Sequence, residues 1–195
     1  MPNNTIFNLR FTVYCALFIA LIIIGGYISI PIPVGPVPIT LADFFVMVAG
    51  LFLGWKYGLV SVTLYILLGA LGMPVFSSGT AGLAILFGPT GGYLFGYLLL
   101  VTAVGFVSGK LRPSFFSYLV ALIIGNILLY LAGVSWLKFL LNMSWASAAA
   151  IGFFPFVIGI VIKIAVAAAL GCALLPRFRQ AMVSASAQQS NTGDE

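Results

Sequence analysis

The sequence predicts an all-α membrane protein, six transmembrane helices gathered into one bundle with both termini cytoplasmic. Three observations carry this reading: an extreme composition, a series of apolar runs of membrane length, and a one-sided distribution of basic residues. Of 195 residues, 63% are hydrophobic and 6% are charged, with a mean hydropathy of +1.23. A soluble domain devotes about a quarter of its residues to charge. Eight basic and three acidic side chains are too few to clothe a chain of this length in water. Lipid is therefore the solvent for most of its surface.

A spanning helix needs about 20 predominantly apolar residues. By that measure the spans fall at about 9–30, 41–54, 57–72, 83–108, 114–135 and 150–176. The second and third are short and have to tilt or lean on their neighbours. The first is too long for the core of a cleaved signal peptide and is followed by further spans, so it reads as a retained helix. Residues 1–179 form one transmembrane substrate-binding domain in this reading. From Gln180 the chain turns polar, ending SASAQQSNTGDE, and 180–195 are expected to be a disordered cytoplasmic tail.

Charge sets the orientation. Arg10, Lys56, Lys110, Arg112, Arg177 and Arg179 all fall on one side of a six-helix arrangement, and the opposite connections hold only Lys138. Basic residues gather on the cytoplasmic side of a membrane, so both termini are cytoplasmic and the plasma membrane is the expected location. Trp55 then lies near the inner interface, with Trp136 and Trp145 near the outer one, where amphipathic rings prefer to sit. Basic residues scattered singly between apolar runs do not make a nucleic-acid patch.

The outward connections differ in character from the inward turns. IPIPVGPVPIT (30–40) holds four prolines and GMPVFSSGTAG (72–82) is rich in glycine and serine. Irregular backbone of this kind survives at membrane depth only where protein or a cavity shields it. The third outward stretch, about 136–149, has the composition of a short surface helix. An elaborate outer face suggests a site open to the outside.

Lys163 is the strongest single clue. Thirteen residues before Pro176, it stands about 20 Å above that end of the last span at ~1.5 Å per residue. Burying an ammonium there costs ~2.5–3.5 kcal/mol. It either snorkels to the outer interface or points inward to meet an anionic group of a ligand. The inward reading is preferred, since Asp43, Asp194 and Glu195 are the only acids in the chain and the last two lie in the tail. Asp43 opens the second span, where the helix dipole favours a carboxylate. Its other roles would be to accept ligand N–H groups or to neutralise Lys163 in the empty site.

GPTGGY (88–93) is no phosphate loop, because no GK[ST] triplet exists in the chain. Its glycines serve close helix packing, or a break whose freed N–H groups and Thr90 face a cavity, with Tyr93 stacking on or bonding a ligand. Thr80 and Ser77–Ser78 are open to the same two readings. Ala16 and Ala20, at i and i+4, make a smooth strip on the first helix, fit for internal packing or for docking another membrane protein. Cys15 and Cys172 sit in apolar runs and read as packing residues. The chain has no His, no paired intramembrane carboxylates and no nucleophile–base set, so neither an enzyme nor a metal site or cofactor is expected. What remains is binding of a small organic solute, with a non-transporting membrane scaffold as the alternative.

The runs GPVPITL (35–41), AGLFLGWKYG (49–58), LLGALGMPVF (67–76) and FGPTGGYLFGY (87–97) resemble the BioY family in order and spacing. PFVIGIVIK (155–163) extends the likeness more weakly into the last span. BioY proteins are biotin-specific substrate-binding (S) components of energy-coupling-factor transporters. The resemblance implies an S-component-like bundle that captures biotin from outside, partnered by a transmembrane T subunit and two ATPases. It implies that Ala16 and Ala20 contact the T subunit and that Lys163 meets the biotin carboxylate. Tyr93 and the Thr80 region would lie around the bicyclic ring. Two positions depart from the family: Ile160 stands where an Asp usually bonds the ureido ring, and Ala42 where Gln is usual. Asp43 is positioned to replace the missing acceptor. The alternative is a related carboxylate ligand, such as lipoate or a biotin precursor.

Overall fold

The computed structural model describes residues 9–33 and 35–191 of the chain. Helix α1 (Leu9–Tyr27) leads into a two-stranded antiparallel ribbon, β1 (Ser29–Ile30) with β2 (Ile39–Thr40), in which Ser29 pairs with Thr40 and Ile30 with Ile39. Prolines cannot donate to such a ladder, so the proline-rich stretch between the strands stays irregular.

Helix α2 (Ala42–Ala70) is two spans in one element. At Gly54 the backbone takes φ 70° and ψ −177°, a conformation open to glycine, and the chain reverses. A methyl group on Gly58 would touch the Ala49 carbonyl oxygen at 3.6 Å and the Gly50 Cα at 3.7 Å. The arms 42–53 and 55–70 therefore run back along one another. This turn is the inner connection expected at 54–57.

A 3-10 turn (Ser77–Gly79) and the short α3 (Leu83–Phe87) follow, then α4 (Gly91–Lys110), α5 (Phe115–Leu141), α6 (Trp145–Gly152), a 3-10 turn (Phe154–Phe156) and α7 (Val157–Asn191). Ser114 opens α5 by accepting the Ser117 N–H at 3.1 Å, and Ser144 opens α6 by accepting from Ser147 at 3.1 Å, the usual work of a serine N-cap. Among the described residues four helices are long and apolar enough to cross a membrane, and α1 supplies a shorter apolar one. With α2 folded on itself, these make six crossings, an even number that returns both ends of the bundle to one side.

Several boundaries differ from the sequence reading. The first span stops at Tyr27 because the chain enters the ribbon. The run 83–108 is broken into α3 and α4 at Gly88–Thr90, where the Gly88 carbonyl accepts both the Gly91 N–H at 3.0 Å and the Trp136 indole N–H at 2.9 Å. Helix α5 continues to Leu141, and Asn142 ends it in the left-handed conformation at φ 50°. The short outer helix expected in 136–149 is α6, slightly later. Helix α7 runs through Pro176 to Asn191, where a disordered tail was expected from Gln180. The backbone there remains helical because alanine, methionine and glutamine are good helix formers. Residues 192–195 of that tail lie outside the described residues.

Helix α4 is the central post, packed between α2 and α5. Small residues let these backbones approach as membrane helices do: a Cβ on Gly96 would meet the Leu129 carbonyl at 3.0 Å, and one on Gly125 the Leu100 carbonyl at 3.1 Å. The outer faces present Leu131, Ile158 and Val161 to the surroundings. Between α2 and α5, the buried Asn126 amide donates to the Leu122 carbonyl at 2.8 Å and meets the Met47 sulfur at 3.1 Å. Its Oδ1 has no protein partner among the described residues. An unsatisfied buried acceptor is costly. Asn126→Leu is therefore expected to keep or raise the unfolding temperature in detergent, and Asn126→Asp to lower it.

A cavity closed by a buried ion pair

The site begins with two residues 120 positions apart. The first turn of α2 carries Asp43, and Lys163 projects from α7 toward it. The Lys163 Nζ donates to Asp43 Oδ1 at 2.8 Å, to Oδ2 at 3.0 Å and to the Thr40 carbonyl at 2.6 Å. Asp43 is 6% exposed and Lys163 9%. Lys163 thus points inward and does not snorkel, and Asp43 neutralises it, one of the roles the sequence left open for that residue. It does so from the first turn of α2, where the dipole favours it, and the helix start at Leu41 receives no side-chain cap.

Beside the pair lies a cavity of about 420 Å³, within the ~300–1,000 Å³ typical of small-molecule sites. Three kinds of surface line it. Asp43, Lys163 and Thr40 form a polar end. Tyr65, Phe76, Tyr93, Tyr97, Tyr130 and Phe156 form an aromatic wall, in which the Tyr93 and Tyr130 rings meet edge to face at 6.1 Å. The outer connections, with Pro31, Pro36, Pro38, Ser77, Ser78 and Thr80, close the remaining side. The irregular backbone of both outer loops is thus spent on enclosing a cavity, as membrane depth requires.

All five residues singled out as binding candidates, Lys163, Asp43, Tyr93, Thr80 and Thr90, border this one cavity. Their hydroxyls are not equally available. Tyr93 donates its O–H to the Gly152 carbonyl at 2.7 Å, which leaves its ring as the surface it offers. Thr80 donates to the Ser77 carbonyl at 2.9 Å. Thr90 begins α4 with no side-chain cap bond. Ser77 shares a 3.2 Å hydrogen bond with Ser29, which ties the ribbon to the second outer loop. Ala16 and Ala20 stand apart from the cavity, both exposed on α1.

Sequence reasoning missed Tyr65, Tyr97, Tyr130, Phe76 and Phe156. A signal was present for two of them: Tyr97 follows Tyr93 by four residues, one turn along the same helix face, and Tyr130 is a hydroxyl set within a long apolar run. Their convergence belongs to the packing of α2, α4, α5 and α7.

Comparison with known proteins adds a second line of observation. The model of the BioY family matches residues 1–180. The chain belongs to the BioY family. It is 42% identical over 166 residues to the biotin transporter BioY of Thermotoga maritima, covering 85% of this chain and 96% of that protein. It is 41% identical over 152 residues to a probable biotin transporter BioY of Pyrococcus horikoshii, covering 78% and 88% respectively. A solved structure, described as the S-component for biotin from an ECF-type ABC transporter, superposes with a TM-score of 0.81 at 33% identity. That match covers 89% of this chain and 94% of the other. The chain is accordingly a multi-pass membrane protein with the S-component fold. Within this BioY chain Ile160 is buried on α7, while Ala42 borders the cavity beside Asp43. The acid of the site is thus on α2.

Proposed function

We propose that this chain is the biotin-binding S component of an energy-coupling-factor transporter, capturing biotin from outside the cell. The observation that carries the reading is the cavity itself: a long aromatic wall with one buried donor–acceptor pair at its end. Biotin has the matching chemistry, an apolar thiolane and acyl chain with a urea and a carboxylate as its polar groups. Lys163 and Asp43 serve as polar contacts, Tyr93 as part of the wall, and Thr80 and Thr90 as contacts nearer the outer loops. The surplus of basic residues at the inner connections supports cytoplasmic termini and the plasma membrane as the location. The exposed strip at Ala16 and Ala20 on α1 suits close approach by a T subunit, with ATPase subunits supplying the energy.

Labelled biotin is expected to bind the detergent-solubilised chain saturably. Dethiobiotin, which keeps the urea, should compete, whereas lipoate, which lacks it, should compete at least tenfold more weakly. Absence of saturable binding would leave the scaffold reading in its place. For the T-subunit contact, Ala16→Leu with Ala20→Leu is expected to leave biotin binding within twofold while abolishing co-purification of the T subunit. Undiminished co-purification would remove α1 from that interface.

A further inference from the structure

We propose that Tyr27, at the outer end of α1, clasps the second outer loop over the cavity and sets how fast a captured ligand leaves. The proposal rests on the biotin reading for the identity of its ligand, and on the geometry of α1 and that loop for the clasp itself.

The second outer loop carries a small, self-closed turn. The Gly79 N–H donates to the Phe76 carbonyl at 3.0 Å, and the Phe76 N–H donates to the Thr80 carbonyl at 3.0 Å. Ser77, Ser78 and Thr80 border the cavity, so the turn is part of its wall. Both ends of the turn are fixed at one place on α2. The buried Phe76 ring lies over Gly69, where an added Cβ would collide with it, and the Gly82 N–H donates to the Gly69 carbonyl at 2.8 Å. Gly82 has φ 97° and open space about it, a conformation suited to glycine at the end of a segment that can pivot.

The opposite side of the turn is held by α1 and the ribbon through hydrogen bonds. The Tyr27 hydroxyl donates to the Pro74 carbonyl at 2.6 Å, and its ring covers Gly79, where an added Cβ would sit 3.1 Å from Cε1. Ser29 and Ser77 share their 3.2 Å bond beside it. An exposed tyrosine at a membrane interface needs no protein partner, yet this one, 53% exposed, reaches across 47 residues to hold the loop. Ser78, at the tip, is kept in the left-handed region at φ 55°, which residues with a side chain seldom adopt and which persists only where the surroundings impose it. A turn fixed firmly to α2 and tied to α1 by bonds that water can replace opens on the α1 side. Tyr27 is therefore a positioning residue: it touches no ligand and acts by keeping the wall shut.

Biotin kinetics on the full chain in detergent test this. Tyr27→Phe keeps the ring and removes one hydrogen bond to an exposed carbonyl. It is expected to speed release of labelled biotin at least threefold while association stays within twofold, because the clasp acts on the closed state. The reverse experiment ties the loop down. In Ser29→Cys with Ser77→Cys, the oxidised protein is expected to release biotin at least tenfold more slowly than the same protein reduced. Release at the wild-type rate from Tyr27→Phe overturns the proposal, as does an oxidised pair that releases biotin as fast as its reduced form. Association slowed as much as release is quickened would mark a distorted cavity and overturns it as well. If the pair does not crosslink, Tyr27→Phe decides alone. Should wild type not bind biotin, the biotin reading falls and the clasp is judged without ligand. Leu129 borders the cavity and is 2% exposed; thiol labelling of Leu129→Cys, followed on its own peptide by mass spectrometry, is then expected to quicken at least threefold when Tyr27→Phe is added. An unchanged labelling rate overturns the clasp.

Discussion

Lys163→Met is expected to abolish biotin binding, at least a hundredfold or about 2.7 kcal/mol, and to destabilise the fold as well. The two losses have different origins. Binding suffers because the methionine offers no donor to a ligand at the polar end. Stability suffers because the Asp43 carboxylate, 6% exposed, is left buried with no cation beside it. Breaking such a pair from one side costs about 3–5 kcal/mol. The double variant Asp43→Asn with Lys163→Met removes both charges, and replacing a buried pair as a unit is often neutral. It should regain most of the lost unfolding temperature while still failing to bind biotin. A double variant as unstable as Lys163→Met would mean that the pair is not the source of the loss. A single variant that binds biotin normally would take Lys163 out of the site.

The second large effect is expected where α4 crosses the reversal in α2. Gly105 lies directly against the backbone of Gly54 and Trp55, and a Cβ there would come within 2.5 Å of the Gly54 carbonyl carbon. Backbone at a reversal cannot rotate aside as a flexible side chain can. Gly105→Leu should therefore wedge α4 away from the turn and cost about 3 kcal/mol, at the upper end of overpacking effects. Gly109, one turn further along α4, faces open space. Gly109→Leu is the control and should stay within about 0.5 kcal/mol of wild type. Thermal unfolding of both in the same detergent decides the point, and equal unfolding temperatures would show that the crossing is not close-packed.

Much of this molecule is legible from its sequence. Lys163, Asp43, Thr80, Thr90 and Tyr93 were each marked by a local anomaly: a charge in an apolar run, or glycine and proline where a helix should continue. Each of them borders the cavity. The break at Gly88–Thr90 was visible as an alternative for the same reason. What escaped were Tyr65, Tyr97 and Tyr130, because a tyrosine within an apolar helix looks the same whether it faces lipid, a neighbour or a cavity. The reach of α7 past Pro176 also escaped. Proline commonly ends or kinks a helix, and that rule outweighed the helix-forming residues that follow it.

Composition and the succession of apolar runs are properties of the chain read alone, and they were enough to determine the solvent and the number of crossings. Partnership is a different kind of quantity. Whether the Lys163 ammonium meets a ligand or Asp43 depends on the reversal at Gly54, the ribbon that delivers Thr40 and the depth at which α7 lies beside α2. Those are distances, 2.8 Å in the case of this pair, between groups 120 residues apart. Coulombic and hydrogen-bond energies change steeply over such distances, so only the folded chain could decide that the site's two charges spend themselves on each other.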